Sequence, residues 1–198
     1  VKNVTLSADH YAGAVVGQGY CRIDKCDAEN VNIIVTIDST ADNGKGDYGD
    51  KAGAIIGQNC EGTLSVTNCT AKNVIIEGYR DLGGIVGMAH YGNIASNCRV
   101  DNITILQELS ANYESSTPTT LGAVIGRKGI NNQTGATVTE SGNTTGEGIE
   151  IAVIIAEGLT QNTESGDFNV SSAEGLAYIA EQVNKKGNTD IASGDIIL

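Results

Sequence analysis

The sequence predicts an all-β chain folded as a right-handed parallel β-helix of about four coils, followed by one amphipathic helix. Three observations carry that expectation. A Gly-rich hexapeptide recurs four times, as AGAVVG at Ala12, AGAIIG at Ala52, LGGIVG at Leu82 and LGAVIG at Leu121. A second signature, Cys-x-x-x-Asn followed by an alternating apolar run, recurs at Cys26–Ile33, Cys69–Ile76 and Cys98–Ile105. Aromatic bulk is scarce, with 26 Gly, no Trp and one Phe among 198 residues, which suits thin stacked coils better than a bulky globular core.

Self-similarity at a fixed period marks repeat architectures. The spacing here is irregular because two segments lengthen it, DSTADNGKGDYGD (38–50) and ELSANYESSTPTT (108–120). Both are rich in small polar residues and read as loops. Without them the period is about 30 residues. Each unit holds three short β-branched runs with period-two alternation, the pattern of strands. Asn3–Leu6 matches the tail of the second signature, so the chain opens inside a unit and further protein is expected upstream.

Stacking such units sets equivalent residues about 4.8 Å apart in columns. The expected inward columns are Cys26, Cys69 and Cys98; Ala28, Ala71 and Val100; Val4, Val31, Val74 and Ile103; and Leu6, Ile33, Ile76 and Ile105. An outward column of Lys2, Glu29, Lys72 and Asp101 alternates in sign, which favours this register more than it adds stability. Asn3, Asn30, Asn73 and Asn102 should form an amide ladder at a turn, where Asn also tolerates left-handed backbone.

Residues 1–156 therefore read as a repeat domain, in which 121–156 is a fourth unit that has lost its Cys and Asn signature. Residues 157–198 read as a helix-plus-strand cap or the start of a further module. Ser171 and Glu174 have capping-box spacing, and Leu176, Ile179, Ala180 and Val183 share one face of a helix expected over 172–186. Lys185, Lys186 and Gly187 suit its C-terminus, and Ile191 and Ile196–Leu198 suit a short strand.

The net charge of −12 excludes a nucleic-acid or anionic-membrane partner, since phosphate binding needs a basic surface. No apolar run is long enough to span a membrane. Five cysteines without metal spacing predict neither a disulfide framework nor a zinc site. Cys26, Cys69 and Cys98 are expected as buried free thiols, whereas Cys21 and Cys60 fall close enough in successive coils to leave their pairing open.

The pattern of Gly83-Gly-Ile-Val-Gly87, Gly92-Asn-Ile94 and Asn97-Cys98, with near matches at 53–69 and partial ones at 13–26 and 122–126, resembles the GLUG repeat. The resemblance covers about residues 1–130. It implies a bacterial cell-surface or secreted location and an adhesin-like, non-catalytic module displaying loops for a host or environmental glycan or surface protein. A structural spacer in a larger surface protein is the other role it allows. The segment 168–198 also looks like the helix-plus-strand unit that introduces a β-helix in such proteins, although here it stands last.

Candidate binding residues are the tyrosines in or beside turns and insertions: Tyr11, Tyr48, Tyr79, Tyr91 and Tyr113, with Tyr11 and Tyr79 in corresponding turns. No catalytic residue, cofactor or metal is expected. Asp38, Asp42, Asp47 and Asp50 lack calcium-loop spacing, and no nucleophile elbow, zinc-helix motif or phosphate loop is present. His10 and His90 stand at opposite ends of their Gly-rich strands without a nucleophile partner. The rival class is a β-helix polysaccharide lyase or glycoside hydrolase using outward carboxylates among Asp24, Asp27, Glu29 and Asp101, with Arg99 and Lys72 beside them. The alternating signs fit a charge ladder better.

Overall fold

The computed structural model describes residues 1–36, 50–108, 121–156, 158–186 and 196–197. Among them the chain is all-β with parallel sheets and one helix. Four units cross four sheets in one order. The first contributes β1 (Lys2–Ala8), β2 (His10–Ala12), β3 (Val16–Gly19) and β4 (Arg22–Asp24). The second contributes β5 (Asp27–Val35), β6 (Asp50–Gly53), β7 (Ile56–Asn59) and β8 (Ser65–Thr67). The third contributes β9 (Thr70–Gly78), β10 (Arg80–Gly83), β11 (Val86–Ala89) and β12 (Ile94–Ser96). The fourth contributes β13 (Arg99–Glu108), β14 (Leu121–Gly122), β15 (Ile125–Lys128) and β16 (Thr139–Ser141). Each strand pairs in parallel with its equivalent one unit away.

The register reproduces the columns read from the sequence. Val31 and Ile103 face Val74, Ile33 and Ile105 face Ile76, and Lys2, Glu29, Lys72 and Asp101 follow one another. Backbone bonds from Thr70 to Cys26 and from Arg99 to Cys69 place Cys69 between Cys26 and Cys98. Val31, Ile33, Val74, Ile76, Ile103 and Ile105 are buried, each Val or Ile worth about 1.5–3 kcal/mol of apolar transfer. All five cysteines are free thiols, Cys21 and Cys26 among them only half-buried.

The Asn ladder is present. Asn30 Nδ2 donates to Asn3 Oδ1 at 2.9 Å, Asn73 to Asn30 at 3.0 Å and Asn102 to Asn73 at 2.8 Å. All four residues are left-handed, with φ between 52° and 56°. The ladder bends the long strand of each unit rather than ending it, since β5, β9 and β13 run straight through it.

Three strands per unit were expected and four are found. The Gly-rich run is two strands in two sheets, folded at a corner such as Ala54-Ile55. Its two glycines, four residues apart, impose this. A Cβ on Gly53 would lie 2.5 Å from the Ile56 carbonyl oxygen, and one on Gly57 would lie 2.5 Å from that of Lys51. The two strands thus touch backbone to backbone, a separation that no side chain permits.

The turn that starts at β14 is completed in the first sheet although it lacks the Cys and Asn signature. β17 (Thr144–Thr145) and β18 (Ile149–Ala156) both pair with β13. Gly142 and Gly148, with φ of 65° and 68°, hold the left-handed corners that Asn97 and Asn102 hold one unit earlier. Asn143 stands where Cys98 stood. Its Oδ1 accepts from the Cys98 amide at 3.0 Å, and its Nδ2 donates to the Ala95 carbonyl at 3.0 Å.

Beyond β18 the direction reverses. β19 (Leu159–Asn162) and β20 (Phe168–Val170) add antiparallel, and β21 (Ile196–Ile197) adds parallel to β20. Helix α1 (Ala173–Lys186) matches the expected span. Its cap is Ser172, whose Oγ accepts from the Gly175 amide at 3.0 Å, and not Ser171. The expected face is also rotated. Leu176 is 48% exposed and Ala180 is exposed, while Ile179 packs on Leu159 and Phe168. Gly175 causes the rotation, because a Cβ there would sit 2.8 Å from the Gly158 carbonyl oxygen. The helix approaches β19 along Gly175 and Ile179, one turn apart, which turns Leu176 outward. Gly187 and Ile191 lie outside the described residues.

Candidate functional site

The densest polar constellation lies at the start of the second sheet's strands. The dipeptides preceding the first three Gly-rich runs stack as His10-Tyr11, Asp50-Lys51 and Arg80-Asp81, with His10 and Arg80 both opposite Asp50. Tyr11, Lys51 and Asp81 take left-handed backbone, with φ of 48°, 64° and 56°. That bend carries charged side chains into the fold. Asp50 and Asp81 side chains are 0% exposed, Arg80 6% and Lys51 9%.

The charges answer one another. Arg80 donates to Asp50 Oδ2 through Nη2 at 3.0 Å and Nε at 3.3 Å. The Lys51 ammonium contacts the same oxygen, and His10 Nδ1 faces Oδ1 at 3.3 Å. Arg127 Nη1 reaches Asp81 Oδ2 at 3.4 Å. Lys51 Nζ also sits 5.1 Å from the centre of the Tyr11 ring, on which His10 stacks at 5.3 Å. Next to this cluster, Gln58 Nε2 and His90 Nε2 are 2.8 Å apart. Burial lowers the pKa of His90, opposed by Glu61 and reinforced by Arg127 and Lys51.

A carboxylate buried between a guanidinium and an ammonium, with an imidazole on its other oxygen, acts as a lock. Removing either partner would strand a charge in a medium that cannot solvate it. The cluster therefore ties three units together at the start of their second-sheet strands.

The carboxylates weighed for hydrolysis are also engaged, three of them between units and Asp101 within its own strand. Asp24 accepts from Asn68 Nδ2 at 2.6 Å and Thr67 Oγ1 at 2.8 Å, which hold its carboxyl below the usual range. Asp27 accepts from Thr70 Oγ1 at 2.5 Å. Glu29 is held low by its hydrogen bond and ion pair with Lys2. Asp101 takes Arg99 Nε and Nη2, both at 2.7 Å. Glu29 and Asp101 do flank Lys72 in register. Glu108, which went unremarked in the sequence, is raised by burial and by a hydrogen bond to Glu77.

Among the described residues, the candidate tyrosines Tyr11, Tyr79 and Tyr91 stand in three different settings. Tyr11 is half-buried within the charged cluster, and Tyr91 is half-buried and edge-on to His90 at 6.5 Å. Tyr79 is buried, 6% exposed, and forms the single-residue connection between β9 and β10. Tyr11 and Tyr79 are not equivalent, because Tyr11 aligns with Lys51 and Asp81. Tyr48 and Tyr113 lie outside the described residues. Tyr20, 78% exposed, is the aromatic that the sequence reading passed over.

Of the four aspartates considered for calcium, Asp38, Asp42 and Asp47 lie outside the described residues and Asp50 belongs to the buried cluster. No group of three or more His, Cys, Asp or Glu side chains is placed to hold a metal among the described residues. Among them too, no helix is long and apolar enough to cross a membrane. A shallow groove runs along the Asn ladder, bordered by Asn3, Thr5, Asn30, Asn32, Asn73 and Ile75. No family model matches the chain, and the searches of curated proteins and of solved structures returned no match.

Proposed function

We propose that this chain is a non-catalytic segment of a right-handed parallel β-helix, of the GLUG-repeat kind, from a bacterial surface or secreted protein. Its role is to hold two long insertions on a rigid scaffold, in the manner of an adhesin, for contact with a glycan or surface protein. The observation that carries this reading is where the insertions emerge. In two units the passage from the first sheet to the second is a single residue, Asp9 or Tyr79. In the other two it spans residues 36–49 and 109–120, so both insertions leave the same edge in alternate units. The Asp50–Arg80 cluster lies at the foot of that edge. Binding segments on rigid scaffolds follow this arrangement. The outward carboxylates are each held by a neighbouring side chain, Glu29 by Lys2 across units and Asp101 by Arg99 in its own strand, which favours a structural role over a hydrolase.

Glycan and matrix-protein arrays probed with the full chain and with deletions of 38–49 or 109–119 test the reading. Binding lost on either deletion, with an unchanged melting temperature, is the expected result. Binding that survives both deletions removes display by the insertions, and no binding by the folded chain leaves the spacer role. Turnover of polygalacturonate that disappears in Glu29→Gln or Asp101→Asn replaces the reading with an enzyme.

A further inference from the structure

The parallel sheets have two ends, and they are built differently. The fourth unit carries closing devices: the Asn143 side chain satisfies both the Cys98 amide and the Ala95 carbonyl. Past it the first sheet turns antiparallel through β19, and α1 lies against that strand. The opposite end, formed by β1 to β4, has the columns without the closure. Val4, Leu6 and Ala8 are half-buried, whereas their partners Val31, Ile33 and Val35 are at most 2% exposed. Cys26 is half-buried where Cys69 and Cys98 are fully buried. Among the described residues, three of the six exposed large hydrophobics, Val1, Val15 and Tyr20, belong to this first unit.

The side chains at this edge are unfinished in a specific way. Lys2 is the last member of a column that alternates in sign through Glu29, Lys72 and Asp101. Asn3 accepts from Asn30 through Oδ1, while its own Nδ2 donates to no described side chain. A parallel edge with unpaired backbone groups and half-covered apolar columns is a template for another strand, and proteins normally blunt such edges. Here the edge carries one lysine whose column calls for an acid.

We propose that the β1–β4 edge is an interaction surface for one further parallel unit of this repeat type, bearing an acidic side chain opposite Lys2 and an asparagine opposite Asn3. The inference rests on the parallel register and is independent of the display role. The occupant extends all four sheets, continues the Asn ladder and buries Cys26.

The test fuses a second copy of residues 71–99 ahead of Val1 in the full chain, which sets the copied position 72 opposite Lys2 and the copied Asn73 opposite Asn3. One version carries Glu at the copied position 72 and the other keeps Lys. The Glu version is expected to melt in a single transition about 5 °C or more above the parent chain and to bury Cys26 against thiol reagents. The Lys version, which sets two like charges opposite each other, is expected to melt about 1–3 °C below the Glu version. A fused unit that is digested away while the remainder melts at the parent temperature overturns the proposal, and equal melting of both versions overturns its charge rule. In sedimentation the unfused chain is expected to be monomeric. A dimer dispersed by Lys2→Glu would make a second copy the occupant and overturn the proposal as stated.

Discussion

Asp50→Asn is the sharpest perturbation available, because it keeps shape and removes one charge. In the folded chain Asp50 is fully buried, with Arg80 and Lys51 on Oδ2 and His10 on Oδ1. The substitution leaves a guanidinium 6% exposed and an ammonium 9% exposed without their carboxylate. Breaking a buried pair from one side costs about 3–5 kcal/mol. At this chain length each kcal/mol moves the melting temperature by about 2–4 °C, so a fall of roughly 6–20 °C is expected. Urea melts give the free energy directly, and their slope reports whether the native state is retained. Asp50→Asn/Arg80→Gln should lose less than the sum of its two single variants, since each strands what the other removes. Glu29→Gln, which breaks an exposed pair with Lys2, is the control and should melt with the parent. An Asp50→Asn chain that loses less than about 1 kcal/mol, or a strictly additive double variant, would refute the lock.

Four further outcomes follow from the same geometry. Gly87→Ala should prevent cooperative folding, since its Cβ would lie 2.5 Å from the Gly57 carbonyl oxygen, whereas Gly135→Ala, with nothing within 4 Å and φ of 71°, should cost only about 1–2 kcal/mol in urea melts. Asn73→Gly should be milder than Asn73→Ala, reversing the usual order, because Gly keeps the left-handed φ of 53° that Ala resists. Native thiol labelling should be fast at Cys21 and Cys26 and slow at Cys60, Cys69 and Cys98, and Cys69→Asp should unfold the chain by burying an unpaired charge. His90 is held below its ordinary pKa, so the unfolded chain binds more protons as pH falls below about 6.5; stability should drop there, and His90→Gln should remove that part of the slope in melts run across pH 5 to 7. Glu108, held above its ordinary value, works in the opposite sense at lower pH, so the slope is read as the difference between parent and variant.

The first sheet was legible because its signal is redundant. Cys, Asn and two apolar positions recur together, and one alignment fixes every column at once. The charged cluster was equally aligned, two and one residues ahead of the first three Gly-rich runs. It was missed because aspartate and lysine beside a polar insertion read as solvated loop, and no propensity announces that a left-handed residue will turn a lysine inward. The fourth strand of each unit was hidden for a related reason. Ala52–Gly57 looks like one continuous apolar run, and the corner at Ala54-Ile55 is made by two glycines acting through contact with another strand. The helix face failed on the same point, since Gly175 packs by having no side chain and periodicity counts only the side chains present.

The fourth unit shows what the repeat conserves when its letters change. Its Cys becomes Asn143, and its corner residues become Gly142 and Gly148. Asn serves a left-handed corner in two capacities, as a residue that tolerates positive φ and as a link in an amide ladder. Gly serves only the first. In the interior of the stack both matter, because Asn73 has Asn30 on one side and Asn102 on the other. At Gly148 only the backbone requirement remains, and the space a Cβ would fill lies 2.9 Å from Asn102 Oδ1. The loss of the signature is thus a statement about position in the stack: the ladder ends where Gly replaces Asn, and the same unit supplies Asn143 to close the thiol column. That combination separates a unit built to terminate from one built to be followed. It is also why the first unit, which keeps Asn3 and Lys2 and has no equivalent of Asn143, reads as an edge awaiting a partner.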